Sequence, residues 1–330
     1  MKIFGMPGEA IRRHREALAE YVRKELTRLR ASHSDGSQKH IRDYIDCLYE
    51  QDDGKSIVVK TIDELDRVVD AVERVKGASP GADWTSFEDE LAAIFDYEHK
   101  FRDASDWNSG KYIELLMSEG LQYCPYCNTK PLEAYPVVPG GDGYHKGPLD
   151  HFYDKSDYPY LALSIYNLIP VCERCNTLKG KKSATLKTHS HPFRDDFHDL
   201  EVFEVKSGDP FAALFGAKGV GDVTIKLSER GKDRSSAATA LADIVEIRQR
   251  YNLAPVKAVA GKVLRSGERY KSLGAKFVQG LTSLKGVSEL DAIAEEFGVK
   301  VDGSDINRQE FGKLRNDLVP EGLKRLYVKC

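Results

Sequence analysis

Four cysteines in the middle of the chain are spaced like the ligands of one metal ion. They form two CxxC pairs, Cys124 with Cys127 and Cys172 with Cys175. A two-residue gap lets both sulfurs of a pair reach one ion, and four thiolates complete the tetrahedral shell of a structural zinc. A disulfide or a coincidental spacing is the alternative interpretation. Because paired CxxC motifs in a reducing compartment more often bind metal, the sequence predicts zinc.

Three polar residues lie among these cysteines although a structural zinc does not need them. Asp150 and His151 end a predicted strand that begins at Leu149, and Asn176 comes directly after the last cysteine. If the four cysteines hold one ion, Asn176 is brought close to Asp150. Their oxygen atoms suit Mg²⁺ or Mn²⁺ better than zinc. A neutral imidazole at His151 can then activate water near neutral pH.

The central stretch resembles the HNH, or ββα-metal, endonucleases, in the subset whose fold is stapled by a CxxC…CxxC zinc. The resemblance covers roughly residues 121–195, less than a quarter of the chain. The motifs that carry it are Leu149-Asp150-His151, Tyr166-Asn167-Leu168-Ile169-Pro170 and Cys172-Glu173-Arg174-Cys175-Asn176-Thr177-Leu178-Lys179-Gly180.

The resemblance implies a role for each motif residue. His151 would be the general base that deprotonates the attacking water. Asp150 and Asn176 would hold one divalent ion, Mg²⁺ or Mn²⁺, against the scissile phosphate and the leaving 3′-oxygen. Asn167 would hold the loop and orient His151 through hydrogen bonds. The third motif carries Asn176 where the name of the family has a histidine, and family members with asparagine at this position are familiar.

A basic stretch beside these motifs supports a nucleic-acid substrate. Between Pro170 and Ser190 there are five basic residues and one acidic residue. Such a patch can neutralise phosphates without reading sequence, although a charge run is more often a solvated face. The predicted nucleic-acid contacts are Arg174, Lys179, Lys181 and Lys182, and Lys187 completes the basic set.

The function implied by the resemblance is metal-dependent hydrolysis of DNA phosphodiester bonds, with RNA as an alternative substrate. Similar nucleases occur in bacterial anti-phage defence systems, often beside an ATPase, so a gated effector with such a partner is expected by analogy. The opposing interpretation is a zinc-ribbon module that binds nucleic acid or protein without catalysis. In that case Asp150 and His151 are inert.

The elements that must position these residues divide the chain into three predicted regions. Residues 1–120 carry helical apolar stripes and a capping box that starts at Thr61, and we interpret them as a scaffold or a partner-binding region without active-site residues. Residues 121–195 contain the zinc-stapled module. Residues 196–330 indicate a hairpin followed by helices. The predicted fold class is therefore α+β, a mainly helical chain around a central ββα-metal (HNH) module.

Composition and charge are those of a soluble globular protein. A length of 330 residues allows two or three compact units, and a formal net charge of −3 means that affinity for nucleic acid must come from local patches. The start lacks the apolar run of a signal peptide, and no stretch approaches the ~20 apolar residues of a membrane span. We therefore expect a cytoplasmic protein with no membrane partner, in which Cys47 and Cys330 are free thiols.

Overall fold

The computed structural model of the chain describes residues 4–49, 55–137, 144–180, 182, 184–195, 201–205, 223–227 and 242–327. Internal packing divides the chain into two units. The site unit contains Gly5–Glu119 and Leu132–Phe193, and the C-terminal unit contains Gly120–Pro131, Arg194–Cys330 and the first residues of the chain. The three predicted regions do not correspond one to one with these units, because the predicted scaffold and most of the predicted central module share the site unit.

Helices form the first part of the site unit. They are α1 (Gly8–Ser32), α2 (Lys39–Leu48), α3 (Ile62–Ala78), α4 (Trp84–Ile94) and α5 (Ser109–Ser118). Apolar residues three or four positions apart give each helix one buried face, as Leu18, Val22 and Leu26 do on α1. That face packs α1 against α2, α4 and α5. The capping box predicted between Thr61 and Glu64 is confirmed at the start of α3.

Short strands and one helix complete the site unit. β1 (Ala134–Pro136) pairs antiparallel with β2 (Tyr144–Lys146), and β3 (Leu149–His151) pairs antiparallel with β4 (Leu168–Pro170). Helix α6 (Glu173–Lys179) follows β4 almost at once. Gly180 ends α6 with a φ of 48° and a ψ of −131°, a conformation that favours glycine. The result is a hairpin followed by a helix, with Asp150 and His151 on β3 and Asn176 on α6.

The C-terminal unit contains a hairpin and further helices. β5 (Glu201–Val205) pairs antiparallel with β6 (Val223–Leu227), and the Gly-rich connection between them lies outside the described residues. The helices are α7 (Ile247–Tyr251), α8 (Ala254–Leu273), α9 (Ala275–Lys285), α10 (Glu289–Phe297), α11 (Gly312–Leu318) and α12 (Glu321–Tyr327). Buried residues such as Val263, Phe277 and Phe297 form a core shared by α8 to α12.

The described chain is mainly helical with little sheet, which agrees with the predicted mainly helical character. Its longest described helix, α1, alternates apolar residues with Arg and Glu along its length. Of the helices in the described ranges, none combines the length and the apolar character needed to cross a membrane.

Candidate active site and cysteine cluster

The four predicted zinc ligands come together. The sulfur atoms of Cys124, Cys127, Cys172 and Cys175 all lie within 4.8 Å of one another, and all four side chains are buried. A tetrahedral ion with Zn–S bonds of about 2.3 Å would separate its sulfurs by about 3.8 Å, so the spacing fits. No disulfide joins the cysteines in the described part of the chain. The cluster can therefore hold a metal ion such as zinc.

Hydrogen bonds that sequence analysis missed hold the first cysteine pair in place. The sulfur of Cys127 lies 3.2 Å from the hydroxyl of Thr129 and 3.3 Å from Nη2 of Arg250, and both groups donate to it. Asn128 adopts a left-handed conformation with a φ of 51°, and its side chain donates to the carbonyl of Ile306 at 3.1 Å. Donors directed at a sulfur stabilise its thiolate form, which is the form that binds metal.

A cavity of about 700 Å³ beside β3 is lined by three of the four predicted catalytic residues. Asp150, His151 and Asn176 all line it. The side chains of Asp150 and His151 are buried, and that of Asn176, in the first turn of α6, is half-buried. The cavity thus brings together two oxygen donors and one imidazole, the three groups that the sequence was expected to place near one another.

His151 is held in one tautomer. Its Nε2 lies 3.1 Å from the carbonyl oxygen of Ala162. Because a carbonyl only accepts, Nε2 carries the hydrogen, and in the neutral ring Nδ1 carries the lone pair. The ring packs edge-on against Tyr97, with 4.7 Å between centroids. Burial lowers the pKa of His151 to about 4, although the hydrogen bond to Ala162 partly opposes this shift, so the ring is neutral at pH 7.

Asn167 braces the loop that holds His151. Its Oδ1 accepts from the backbone N–H of Tyr153 at 2.8 Å, and its Nδ2 donates to the carbonyls of Tyr153 and Leu161, both at 3.1 Å. Leu161 directly precedes Ala162, whose carbonyl accepts from His151. Asn167 therefore fixes the backbone at Tyr153, near the start of the segment that follows β3, and at Leu161 in its interior. This geometry is compatible with the positioning role that the resemblance implies.

His14 on α1 forms a hydrogen bond with the next carbonyl of the same loop, that of Leu163. No motif in the sequence marks His14. Its Nε2 donates to the carbonyl of Leu163 at 2.7 Å, and its Nδ1 accepts from the indole N–H of Trp107 at 3.2 Å. Because an indole N–H only donates, the ring is neutral with its hydrogen on Nε2. Complete burial lowers the pKa of His14 to about 4, despite the opposing hydrogen bond to Leu163.

We expect His14 to make the folded chain less stable in acid. Its pKa is about 4 when folded and ~6.5 when unfolded, so the unfolded chain takes up the proton first as the pH falls. The contribution of His14 is complete above about pH 6.5 and is lost progressively toward pH 4, with a loss of about 2 kcal/mol at pH 5. Urea unfolding at pH 7 and pH 5 measures this change.

The His14→Gln variant isolates the effect, since a glutamine amide can still donate to Leu163 but does not titrate. The free energy of unfolding of the variant should fall by about 2 kcal/mol less than that of the wild type between the two pH values. His40→Gln, at a half-buried position on α2, is the matched control and should keep the wild-type dependence. Equal pH dependence in wild type and His14→Gln would contradict the prediction.

Lys179 was predicted to contact nucleic acid, but it is buried in the structure. Its side chain is completely buried, with Nζ 3.1 Å from Oδ1 of Asp150 and 2.7 Å from the carbonyl oxygen of His151. The Asp150 side chain is only 4% exposed, and a carboxylate at such a depth needs a positive partner. The ammonium of Lys179 therefore neutralises Asp150 and is not presented to solvent.

Replacing Lys179 by Met is expected to lower the free energy of unfolding by about 3–5 kcal/mol, because the charge of Asp150 is left buried without its ammonium partner. The double variant Lys179→Met/Asp150→Asn should recover part of this loss, since it removes that charge as well. Lys182→Met, at an exposed position, is the control and should change the free energy by less than about 0.5 kcal/mol. A single variant as stable as the wild type in urea would refute the structural role of the pair.

The other basic residues predicted to contact nucleic acid are exposed where the structure describes them. Arg174 and Lys182 are exposed, and Lys181 lies outside the described residues. Lys187 is also exposed, and its Nζ lies 2.6 Å from Oδ1 of Asp70 on α3. Of the four predicted contacts, two are thus described at the surface.

The N-terminal region, interpreted above as a scaffold without active-site residues, forms one wall of the cavity. Phe95, Tyr97, Glu98 and Arg102 line it. The segment Glu98–Arg102 is a π-helical turn, closed by a 2.9 Å hydrogen bond from the N–H of Asp103 to the carbonyl of Glu98. Such turns are rare and often occur at functional sites. No spacing or motif in the sequence marks this turn, so sequence analysis missed it.

The resemblance to HNH endonucleases, drawn from the motifs between Leu149 and Gly180, stays a prediction. Comparison of the chain with protein-family models, with curated proteins and with solved structures finds no match.

Proposed function

We propose that this chain is a metal-dependent endonuclease of the HNH type that hydrolyses DNA phosphodiester bonds. The observation that carries the proposal is one cavity lined by Asp150, His151 and Asn176. A ring held with its hydrogen on Nε2 leaves Nδ1 to accept a proton. Residues of these types, on a hairpin and the helix that follows it, are the parts that hydrolysis of a phosphodiester requires.

His151 supplies the general base in this proposal. A base must keep its lone pair directed at the attacking water, and the bond from Nε2 to Ala162 prevents the ring from flipping to present Nε2 instead. Asn167 keeps the Ala162 carbonyl in place through its bond to Leu161, so it acts as a positioning residue. The edge-on contact with Tyr97 limits rotation of the ring from its other side.

Asp150 and Asn176 fit a hard divalent cation, because a carboxylate and a carboxamide in one cavity are oxygen donors of the kind that Mg²⁺ and Mn²⁺ prefer. When bound, such an ion would stabilise the negative charge that develops on the phosphate and the leaving oxygen. Lys179 holds the Asp150 carboxylate in place through its ion pair. We assign the four-cysteine cluster to a structural zinc, since its four thiols leave no position for water or substrate.

A zinc-built binding module without catalysis is the second candidate, and the buried ion pair between Lys179 and Asp150 favours it. A carboxylate already neutralised by an ammonium is a complete structural unit that needs no second cation. In this case the exposed Arg174 and Lys182 would bind phosphates without cleaving them.

Supercoiled plasmid incubated with the purified chain in Mg²⁺, Mn²⁺ or EDTA separates the two candidates. The proposal expects nicking or linearisation that requires a divalent ion. Retention of intact plasmid in every metal, with a mobility shift that shows binding, would instead support the binding module. The same assay with RNA in place of the plasmid tests the alternative substrate.

The proposal also includes low cleavage activity of the isolated chain, by analogy with defence nucleases that work beside an ATPase. Uncontrolled DNA cleavage would harm a host, so the isolated chain is expected to cut slowly until a partner or trigger acts. The helices of the C-terminal unit are the candidate docking region for such a partner. Vigorous cleavage by the chain alone would rule out this part of the proposal.

A further inference from the structure

Two lysines flank β3 along the chain and line the same cavity as His151. Lys146 ends β2 just before β3 begins, and Lys155 lies in the loop after it. Each is paired with a carboxylate at the π-helical turn. Nζ of Lys146 lies 2.9 Å from Oδ1 of Asp103, and Nζ of Lys155 lies 2.8 Å from Oε1 of Glu98. No motif or spacing in the sequence marks any of these four residues.

These two ion pairs differ in kind from the buried pair of Lys179. The side chains of Lys155 and Glu98 are 45% and 35% exposed, and those of Lys146 and Asp103 are 24% and 47% exposed. The side chain of Lys179 has no exposed surface at all. Ion pairs in contact with water contribute little to stability and exchange with other anions, whereas a buried pair is fixed. Lys146 and Lys155 can therefore change partner while the fold stays intact.

We propose that Lys146 and Lys155 bind the phosphates of the DNA substrate next to the scissile one, and that Glu98 and Asp103 are counter-ions that these phosphates displace. The inference rests on the proposed function and extends it to the path of the substrate backbone. A lysine ammonium suits this task, since it binds phosphate as a point charge without reading sequence. Lys155 also lies 5.3 Å from the ring centroid of Tyr97, a cation–π contact that keeps it at the cavity after its ion pair opens.

The displaced carboxylates keep a partner of their own. Arg102 is ion-paired with Glu98 and, at 2.8 Å, with Oδ2 of Asp103. Hydrogen bonds from Arg102 and then Lys146 hold the pKa of Asp103 far below its ordinary value, so this carboxylate stays charged. While it is charged, it competes with phosphate for Lys146. Neutral amides at the two carboxylate positions would remove that competition.

The test measures binding of a short fluorescein-labelled DNA duplex by fluorescence anisotropy, over a series of salt concentrations. The full chain carries His151→Ala throughout, so that the probe is not cut. The variants are Lys146→Gln with Lys155→Gln, and Glu98→Gln with Asp103→Asn. Lys39→Gln on α2, which removes an exposed lysine whose Nζ lies 2.8 Å from Asp43, is the matched control.

Opposite effects are expected from the two double variants. Loss of the lysines should weaken binding about threefold to tenfold for each lysine and lower the salt slope by about 0.9 for each phosphate contact. Loss of the carboxylates should tighten binding severalfold, and Lys39→Gln should bind like the parent.

Two results would overturn the inference alone: lysine variants that bind like the parent, or carboxylate variants that bind more weakly. Metal-dependent cleavage of plasmid by the wild-type chain would still stand in either case, so the proposed function is judged separately. Absence of any DNA binding by the parent would overturn the inference, and absence of plasmid cleavage as well would remove the proposed function with it.

Discussion

Replacing Cys175 by Ser is expected to abolish tight zinc binding and to lower the stability of the chain by several kcal/mol. Structural zinc contributes about 10–16 kcal/mol of binding free energy in small zinc-binding peptides, which is as large as the whole stability of a typical domain. A serine hydroxyl stays protonated at neutral pH and is a poor zinc ligand. The three sulfurs that remain would hold the ion weakly, so a large part of that free energy would be lost.

The measurement is zinc content by elemental analysis together with thermal unfolding. Cys47→Ser is the matched control, because Cys47 lies outside the cluster, is half-buried and only donates to the carbonyl of Asp43 at 3.2 Å. It should keep the full zinc content and change the free energy of unfolding by less than about 1 kcal/mol. A strong chelator should reproduce the effect of Cys175→Ser on the wild type. Equal stability of the two serine variants, with no metal in either, would show that the cluster is not a zinc site.

Local patterns explain what could be predicted from the sequence. The CxxC spacing identified a cluster because two residues between ligands suffice to fix their separation. The strand predicted to begin at Leu149 and to end with Asp150 and His151 is present over Leu149–His151. The capping box that starts at Thr61 was likewise found, since it depends on residues three positions apart.

Tertiary contacts explain what could not be predicted. Lys179 belongs to a basic run and has the same local pattern as the exposed Lys182, and only its contact with Asp150 shows that it is buried. Tyr97 reaches His151 from a part of the chain where no motif marks it. Arg250 donates to the sulfur of Cys127 although the two residues lie far apart in the sequence. In each case the partner is distant in sequence, so no periodicity or spacing rule connects the two residues.

Replacing His151 by Gln is expected to reduce DNA cleavage about 10²–10⁴-fold while the fold and the zinc content are kept. Glutamine is long enough for its amide to donate to the carbonyl of Ala162 as Nε2 of His151 does, but it has no basic nitrogen to accept a proton from water. This substitution therefore removes the base and preserves the contact that holds the loop. His151→Ala removes both and should be at least as inactive, with some loss of stability.

The rate of plasmid nicking under single-turnover conditions measures the effect, with DNA affinity determined separately. If His151 is the base, the chemical step falls while affinity is unchanged, because the ring would act on the attacking water and not on the substrate backbone. His40→Gln, at the half-buried histidine on α2, should cut at the wild-type rate. Wild-type cleavage by His151→Gln would exclude His151 as the base, and the reaction would then need a proton acceptor elsewhere in the cavity, where Asp154 is a second carboxylate besides Asp150.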